Sequence, residues 1–260
     1  MELAGKVAIV TGAGGVGCGR AIARRMARDG AAVVVCDIND ATARQSVQLI
    51  EREGRRAAAL VADIGVESDV ARLVAFAEAT YGGIDVLVNN ASAPFRPDSP
   101  LEHWMEPIQV DLLGPMYATL AVLPAMRRRG GGAIVNIGST SAIGHGRKHS
   151  QWPAYDVAKA AVIRLTTTLG WLAQKDRVRV NCLVPAWIAS PEVKTYYDSL
   201  TVDERRQRGA PDSLIALEEI GDAVVRLATD ESLNGRVMVW WNGRPPRLIA
   251  ADDPGYESLE

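Results

Sequence analysis

Three cysteines, three histidines and 5% aromatic residues are a small supply of side chains that staple, ligate and stack for a chain of 260 residues. Cys18, Cys36 and Cys182 are odd in number and widely spaced. That excludes a disulfide framework and a zinc pattern, and buried reduced thiols are their expected state. His145 and His149 stand four apart, a metal-binding spacing only on a helix, but the flanking glycines at 144 and 146 oppose a helix and no metal is expected. None of these, nor His103, neighbours a Gly-x-Ser-x-Gly elbow, so a hydrolase triad has no support. No apolar run approaches the roughly 18 residues of a membrane span. The first residues, Met1 to Lys6, lack a signal-peptide layout, so a soluble cytoplasmic protein with no membrane partner is expected. Charge of one sign is missing too: 29 basic residues face 31 acidic ones, a net −2, which leaves no footprint for nucleic acid. The 48% apolar and 23% charged fractions exclude a mainly disordered chain.

What is present is alternation. Short β-branched runs at 6–11, 31–37, 56–62, 84–90, 133–138, 177–184 and 236–241 are nearly continuous in apolar residues, as strands covered on both faces require. Between them lie helical periods at 20–29, 69–81, 153–174 and 217–230. In 69–81, Val70, Leu73, Val74 and Ala77 fall on one helix face. The pattern predicts an α/β, Rossmann-like, doubly wound, seven-stranded parallel sheet with helices on both faces. It fills residues 1–243 as one domain, with 244–260 as a tail. Three irregular stretches, 92–100, 140–152 and 187–211, each follow a strand and should gather at the carboxyl edge of the sheet, where such folds bind ligands.

The first strand runs into Thr11-Gly12-Ala13-Gly14-Gly15-Val16-Gly17-Cys18-Gly19 and then a helix. Glycines allow a tight turn and close approach to a pyrophosphate, and the helix start offers free N–H groups and a positive dipole end. Asp37, at the end of the second strand, can accept hydrogen bonds from a ribose diol and would repel a 2′-phosphate. No Arg or Lys lies in the glycine loop or in the three residues after Asp37, so NAD is the expected cofactor in preference to NADP. Asn39 or Asp40 is the better cap for the next helix.

Tyr155 and Lys159 stand four apart on one helix face. An ammonium beside a phenol lowers its pKa, and such a pair can move a proton to or from an alcohol oxygen. With these residues in view, the chain from about Lys6 to Gly243 resembles the short-chain dehydrogenase/reductase family in its compact single-domain form. The resemblance rests on the glycine loop, on Asp63-Ile64 as the acidic segment beside an adenine, and on Asn89-Asn90-Ala91-Ser92 at a strand end. It extends to Asn136-Ile137-Gly138-Ser139, to Tyr155 and Lys159, and to Pro185-Ala186-Trp187-Ile188-Ala189-Ser190 near a carboxamide. It implies that Ser139 orients a substrate oxygen, that Tyr155 is the acid/base, and that Lys159 lowers the tyrosine pKa and holds the nicotinamide ribose. It further implies a cofactor site formed by Gly12, Gly14, Gly15, Val16, Gly17, Asp37, Ile38, Asp63, Ile64, Asn90, Ala91, Tyr155, Lys159, Pro185 and Ile188. The implied activity is NAD-dependent interconversion of a secondary alcohol and a ketone by a homo-oligomer, tetramer or dimer. A nucleotide-binding sensor or scaffold with little catalysis is the alternative on the same fold.

Three departures from the family pattern stand out. Four residues separate Gly12 from Gly17, one more than usual, and the stretch from Ser139 to Tyr155 is lengthened. Asp111, in the catalytic set, occupies the place of an Asn, where a carboxylate would favour charged Lys159 and offset its field at Tyr155. Arg127-Arg128-Arg129 ends a helix, where the dipole favours cations, and Arg147-Lys148-His149 is expected to be a solvated loop. Phe95, Trp104, Trp152, Tyr155, Trp187, Tyr196 and Tyr197, half of the 14 aromatic residues, lie in or beside the three irregular stretches. That suggests a pocket for a bulky or ring-bearing substrate.

Overall fold

In a computed structural model that describes residues 2–94, 103–144, 152–251 and 253, strand and helix alternate as the sequence predicts. The strands are β1 (Val7–Thr11), β2 (Ala32–Asp37), β3 (Ala57–Val61), β4 (Val86–Asn89), β5 (Gly132–Ile137), β6 (Val178–Pro185), β7 (Val237–Trp240) and β8 (Arg247–Leu248). They form one eight-stranded sheet in the order β3-β2-β1-β4-β5-β6-β7-β8. All pairings are parallel except the last, in which Met238 and Val239 meet Leu248 and Arg247 antiparallel. The expected seven-stranded parallel sheet therefore gains an eighth, antiparallel strand. It comes from the stretch read as a tail: after Pro245-Pro246 the chain turns back and pairs with the open edge of β7.

Side chains alternate across the sheet with period two. Ala8 and Val10 of β1, and Val33 and Val35 of β2, face a core shared with α1 (Cys18–Arg28), α2 (Asp40–Arg52) and α10 (Leu217–Thr229). Ile9, Val34 and Cys36 face the opposite core, built with α3 (Glu67–Tyr81) and α5 (Gly114–Arg128). Burial on both faces is why these strands read as unbroken apolar runs. Helix α5 follows a short α4 (Met105–Pro107) and a wide π-helical turn, Ile108–Leu113, without a break. The continuous stretch Met105–Arg128 is long and apolar enough to cross a membrane by composition, unlike the sequence expectation. Ala118, Val122, Ala125 and Met126, packed against the sheet, account for much of that apolarity.

Two further expectations are corrected. The helical period at 153–174 is two helices, α6 (Pro153–Thr168) and α7 (Leu172–Asp176), with Gly170 between them. The stretch at 187–211, read as irregular, folds into α8 (Pro191–Ser199) and α9 (Val202–Arg208). Ser190 and Thr201 cap these two helices, and Thr201 with Glu204 forms a reciprocal capping box, a start signal at 201–204 that the lack of an apolar period masked. Arg127, Arg128 and Arg129 are ion-paired with Asp176, Glu78 and Asp85, so this run is consumed in structure.

Candidate functional site

The strand order reverses between β1 and β4, and ligands of open α/β sheets bind in the crevice that opens at such a point. Here the two strand ends are stitched together. The Asn90 side chain donates to the carbonyls of Thr11 (2.9 Å) and Gly12 (3.2 Å), while the Thr11 hydroxyl accepts from the backbone N–H of Asn90 and Ala91. Gly12 has a left-handed φ of 63° and lies so close to Ala91 that an added Cβ would sit 2.7 Å from its Cα. At Gly19 an added Cβ would come 2.1 Å from the Gly12 carbonyl oxygen, so glycine alone lets α1 start against this loop. Gly15 borders open space and Val16 is half exposed. No side chain caps the N-terminus of α1 at Gly17. Free N–H groups and open glycine backbone at the switch point are what a pyrophosphate needs.

The loop reaches β2, and the Asp37 carboxylate accepts from Gly14 N–H (2.8 Å) and Asn39 N–H (3.0 Å). A Cβ at Gly14 would stand 2.8 Å from Asp37 Cγ and from Thr42 Oγ1. Asn39 caps α2 by accepting from Thr42 N–H, which leaves Asp37 outside the cap. Arg20, beyond the loop in sequence, folds back to donate to the Gly14 carbonyl (2.6 Å) and Ser46 Oγ (2.8 Å). Its cationic neighbourhood was missed in the sequence because α1 brings it back by one helical turn. Ile38 is exposed beside Asp37. Asp63 accepts from Gly65 N–H (2.8 Å), whereas Ile64 is buried against Gly114 and contributes packing rather than an exposed side chain. Pro185 ends β6 in the core, and Ile188 bridges Ile215 where the chain enters α8.

Across the crevice, α6 carries Tyr155 and Lys159 to the end of β5. Lys159 Nζ donates to the Ile137 carbonyl (3.0 Å) and lies 3.0 Å from Asp111 Oδ1 and 5.4 Å from the Tyr155 ring centre. Ser139 lies beside Tyr155 and pulls the pKa of its phenol down. Ser139 also accepts from Ser141 N–H (3.2 Å) at the start of the 3₁₀ turn Thr140–Ile143. Asp111 Oδ2 accepts from Ala93 N–H at 3.0 Å. The π turn aims this side chain inward: Pro115 has no N–H for the Asp111 carbonyl, and Gly114 N–H bonds five residues back to Gln109. Ser139, Tyr155, Lys159 and Asp111 are thus brought together.

Burial pushes the Tyr155 phenol above its ordinary value. Lys159 and Ser139 pull it down, and Asp111 and Asp156 push it further up. The downward shift expected from Lys159 acts, but burial outweighs it. Burial works against the charge of Lys159, and Asp111 followed by Tyr155 outweighs it, so the ammonium is held above the usual lysine range.

Trp152 stacks on Tyr155, ring centres 4.5 Å apart and planes within 5°. Trp187 stacks on Tyr196 at 6.1 Å, and Arg205 lies 4.0 Å over the Tyr197 ring. Trp104 is exposed at the start of α4. Phe95 and residues 145–149, with His145, Arg147, Lys148 and His149, lie outside the described residues.

Comparison with known proteins meets the same arrangement. The short chain dehydrogenase family model matches residues 6–200. "Dehydrogenase/reductase SDR family member 4" of Homo sapiens is 34% identical over 257 residues, 95% of this chain and 90% of that protein. An "Uncharacterized oxidoreductase" of Thermotoga maritima is 35% identical over 195 residues, 74% of this chain and 75% of that protein. Among solved structures, a candidate short-chain dehydrogenase/reductase from Burkholderia xenovorans superimposes with a TM-score of 0.82 at 33% identity, covering 93% of this chain and 97% of its own. A candidate short-chain alcohol dehydrogenase from Sinorhizobium meliloti 1021 gives 0.81 at 28% identity, covering 91% and 95%. The family model covers most of the chain, and relatives and solved structures match it over nearly its whole length at about a third identity; the chain belongs to the short-chain dehydrogenase/reductase family of oxidoreductases.

Proposed function

We propose that the protein interconverts a secondary alcohol and a ketone with NAD, Tyr155 moving the proton and Ser139 and Lys159 setting its surroundings. The observation that carries this reading is the convergence of Ser139, Tyr155 and Lys159 at the carboxyl edge, across the crevice from the glycine loop. When bound, the nicotinamide supplies or takes up a hydride. The chain does the rest. The uncapped start of α1 and the backbone of Gly12 to Gly17 receive the pyrophosphate, and Asp37 the adenosine ribose. Ser139 donates a hydrogen bond to the substrate oxygen, and Tyr155 transfers its proton to that oxygen in reduction and retrieves it in oxidation. Lys159, charged and fixed by Ile137 and Asp111, presents its remaining N–H toward the ribose and the phenol. The rings of Trp152, Trp187 and Tyr196 suit a ring-bearing substrate.

Asp37, anchored by two backbone N–H groups, cannot swing away from a 2′-phosphate. Like-charge contacts cost several kcal/mol, so kcat/KM with NADP(H) is expected to be on the order of 100-fold lower than with NAD(H). Nicotinamide absorbance over a panel of alcohols and ketones, run in both directions with both cofactors, tests the reading. Equal or better use of NADP(H) contradicts the cofactor assignment, and tight nucleotide binding without turnover would favour a nucleotide-binding protein instead.

A further inference from the structure

Asp111 and Lys159 form the one ion pair among the described residues with both side chains buried, 0% and 4% exposed. Every other carboxylate–cation pair among the described residues has at least one partner reaching water. Removing two charges from water costs several kcal/mol per ion, and a well-packed apolar pair is often at least as stable, so stability alone is a poor reason to keep this one. Its location supplies a better reason. The ammonium donates to the Ile137 carbonyl and lies 3.0 Å from Asp111 Oδ1 and 5.4 Å from the centre of the Tyr155 ring. An Asn at 111 could still accept from Ala93 N–H, so that contact does not call for a charge.

Among the described residues, few charges face the phenol. On α6 are Lys159 and Asp156; on the π turn is Asp111; at the end of β5, Ser139 is neutral. Cys182 on β6 acts on Lys159, which in turn acts on Cys18 of α1, and burial pushes the two thiols up to about 12 and about 11, so both are uncharged near neutral pH. Asp156 is partly exposed and screened by water; the Asp111 carboxylate, the Lys159 ammonium and a protonated Tyr155 alone sum to zero, and their first proton loss leaves an unbalanced negative charge. With Asn at 111 the cluster starts at +1 and the same loss neutralises it. Low-dielectric surroundings magnify that difference.

We infer that Asp111 is a positioning residue that balances Lys159 and thereby sets the pH at which the Tyr155–Lys159 pair gives up its first proton. The site is built to hold Tyr155 as an acid through neutral pH, which favours proton delivery to a carbonyl over proton removal from an alcohol. The preference for reduction rests on the proposed oxidoreductase reading; the charge balance does not.

Ring-carbon NMR of tyrosine-labelled protein without cofactor tests it, with the Tyr155 signal identified by its loss in Tyr155→Phe. In the wild type the signal should titrate above about 10, the free tyrosine value. In Asp111→Asn and Asp111→Ala the first ionisation should fall by about one pH unit or more, and the alkaline limb of carbonyl reduction should fall with it. A wild-type titration below the free value overturns the inference even if neither variant folds. So do superimposable titrations in folded variants, since a merely structural role would lower activity at every pH alike. A displaced titration with no hydride transfer on any substrate sinks the oxidoreductase reading and leaves the charge role standing.

Discussion

Gly14 shows how one small residue joins two parts of the nucleotide site. It has no side chain because Asp37, Thr42 and the α2 backbone occupy the space, and its N–H fixes the carboxylate. Gly14→Ala is expected to push the loop away from β2 at a cost of about 1–3 kcal/mol, an overpacking penalty. If that cost falls on the bound conformation, NADH affinity by fluorescence titration drops about tenfold or more. Unchanged affinity would mean the loop and Asp37 act independently. At this scale the sequence was informative about identity and silent about partners. Tyr155, Lys159 and Asp37 could be named because their spacings repeat a known pattern. That Lys159 bonds Asp111 directly, or that Trp152 lies flat on Tyr155, depends on helices and loops meeting in space. Only Pro115, four residues after Asp111, hinted that the helix register would fail there.

Elements were legible in proportion to their burial. Strands β1, β2, β4 and β6 lie in the middle of the sheet and announce themselves as apolar runs. Helices α8 and α9 contain no buried residue, so no apolar period marks them. The two-residue β8 pairs only with β7 and is too short to carry a pattern. Elements are also held by charge at the surface. Arg28 and Arg24 of α1 grip Glu53 at the end of α2 and lower its pKa from 4.5 to about 2, Arg28 giving the largest contribution. A carboxylate depressed in the folded state stabilises above its unfolded pKa and loses that contribution as pH falls through its folded one. Glu53→Gln should therefore lower Tm above pH about 4.5 and flatten its fall between about 4.5 and about 2, the two proteins converging at lower pH. An identical acid limb in both proteins would show that solvent screening removes the effect of this half-exposed cluster.

At the scale of the whole molecule, one topological fact positions the chemistry. Seven parallel strands end at one edge, the order reverses between β1 and β4, and every chemically distinctive segment follows a strand to that edge. The doubly wound architecture could be read from alternation alone, because parallel pairing requires a crossover and the crossovers are helices. Helices α8 and α9, which follow β6 at that edge, could not, since they bury no apolar face. The central claim is that Tyr155 exchanges a proton with substrate while hydride moves to or from NAD. It is tested most directly by nicotinamide absorbance for wild type and Tyr155→Phe on the best ketone of the panel, with NADH binding measured in both. The phenyl ring keeps the stack on Trp152 and removes only the hydroxyl. General acid catalysis contributes about 10²–10⁴-fold, so kcat should fall by about that factor while NADH affinity is unchanged. Turnover within about twofold of wild type would contradict the account.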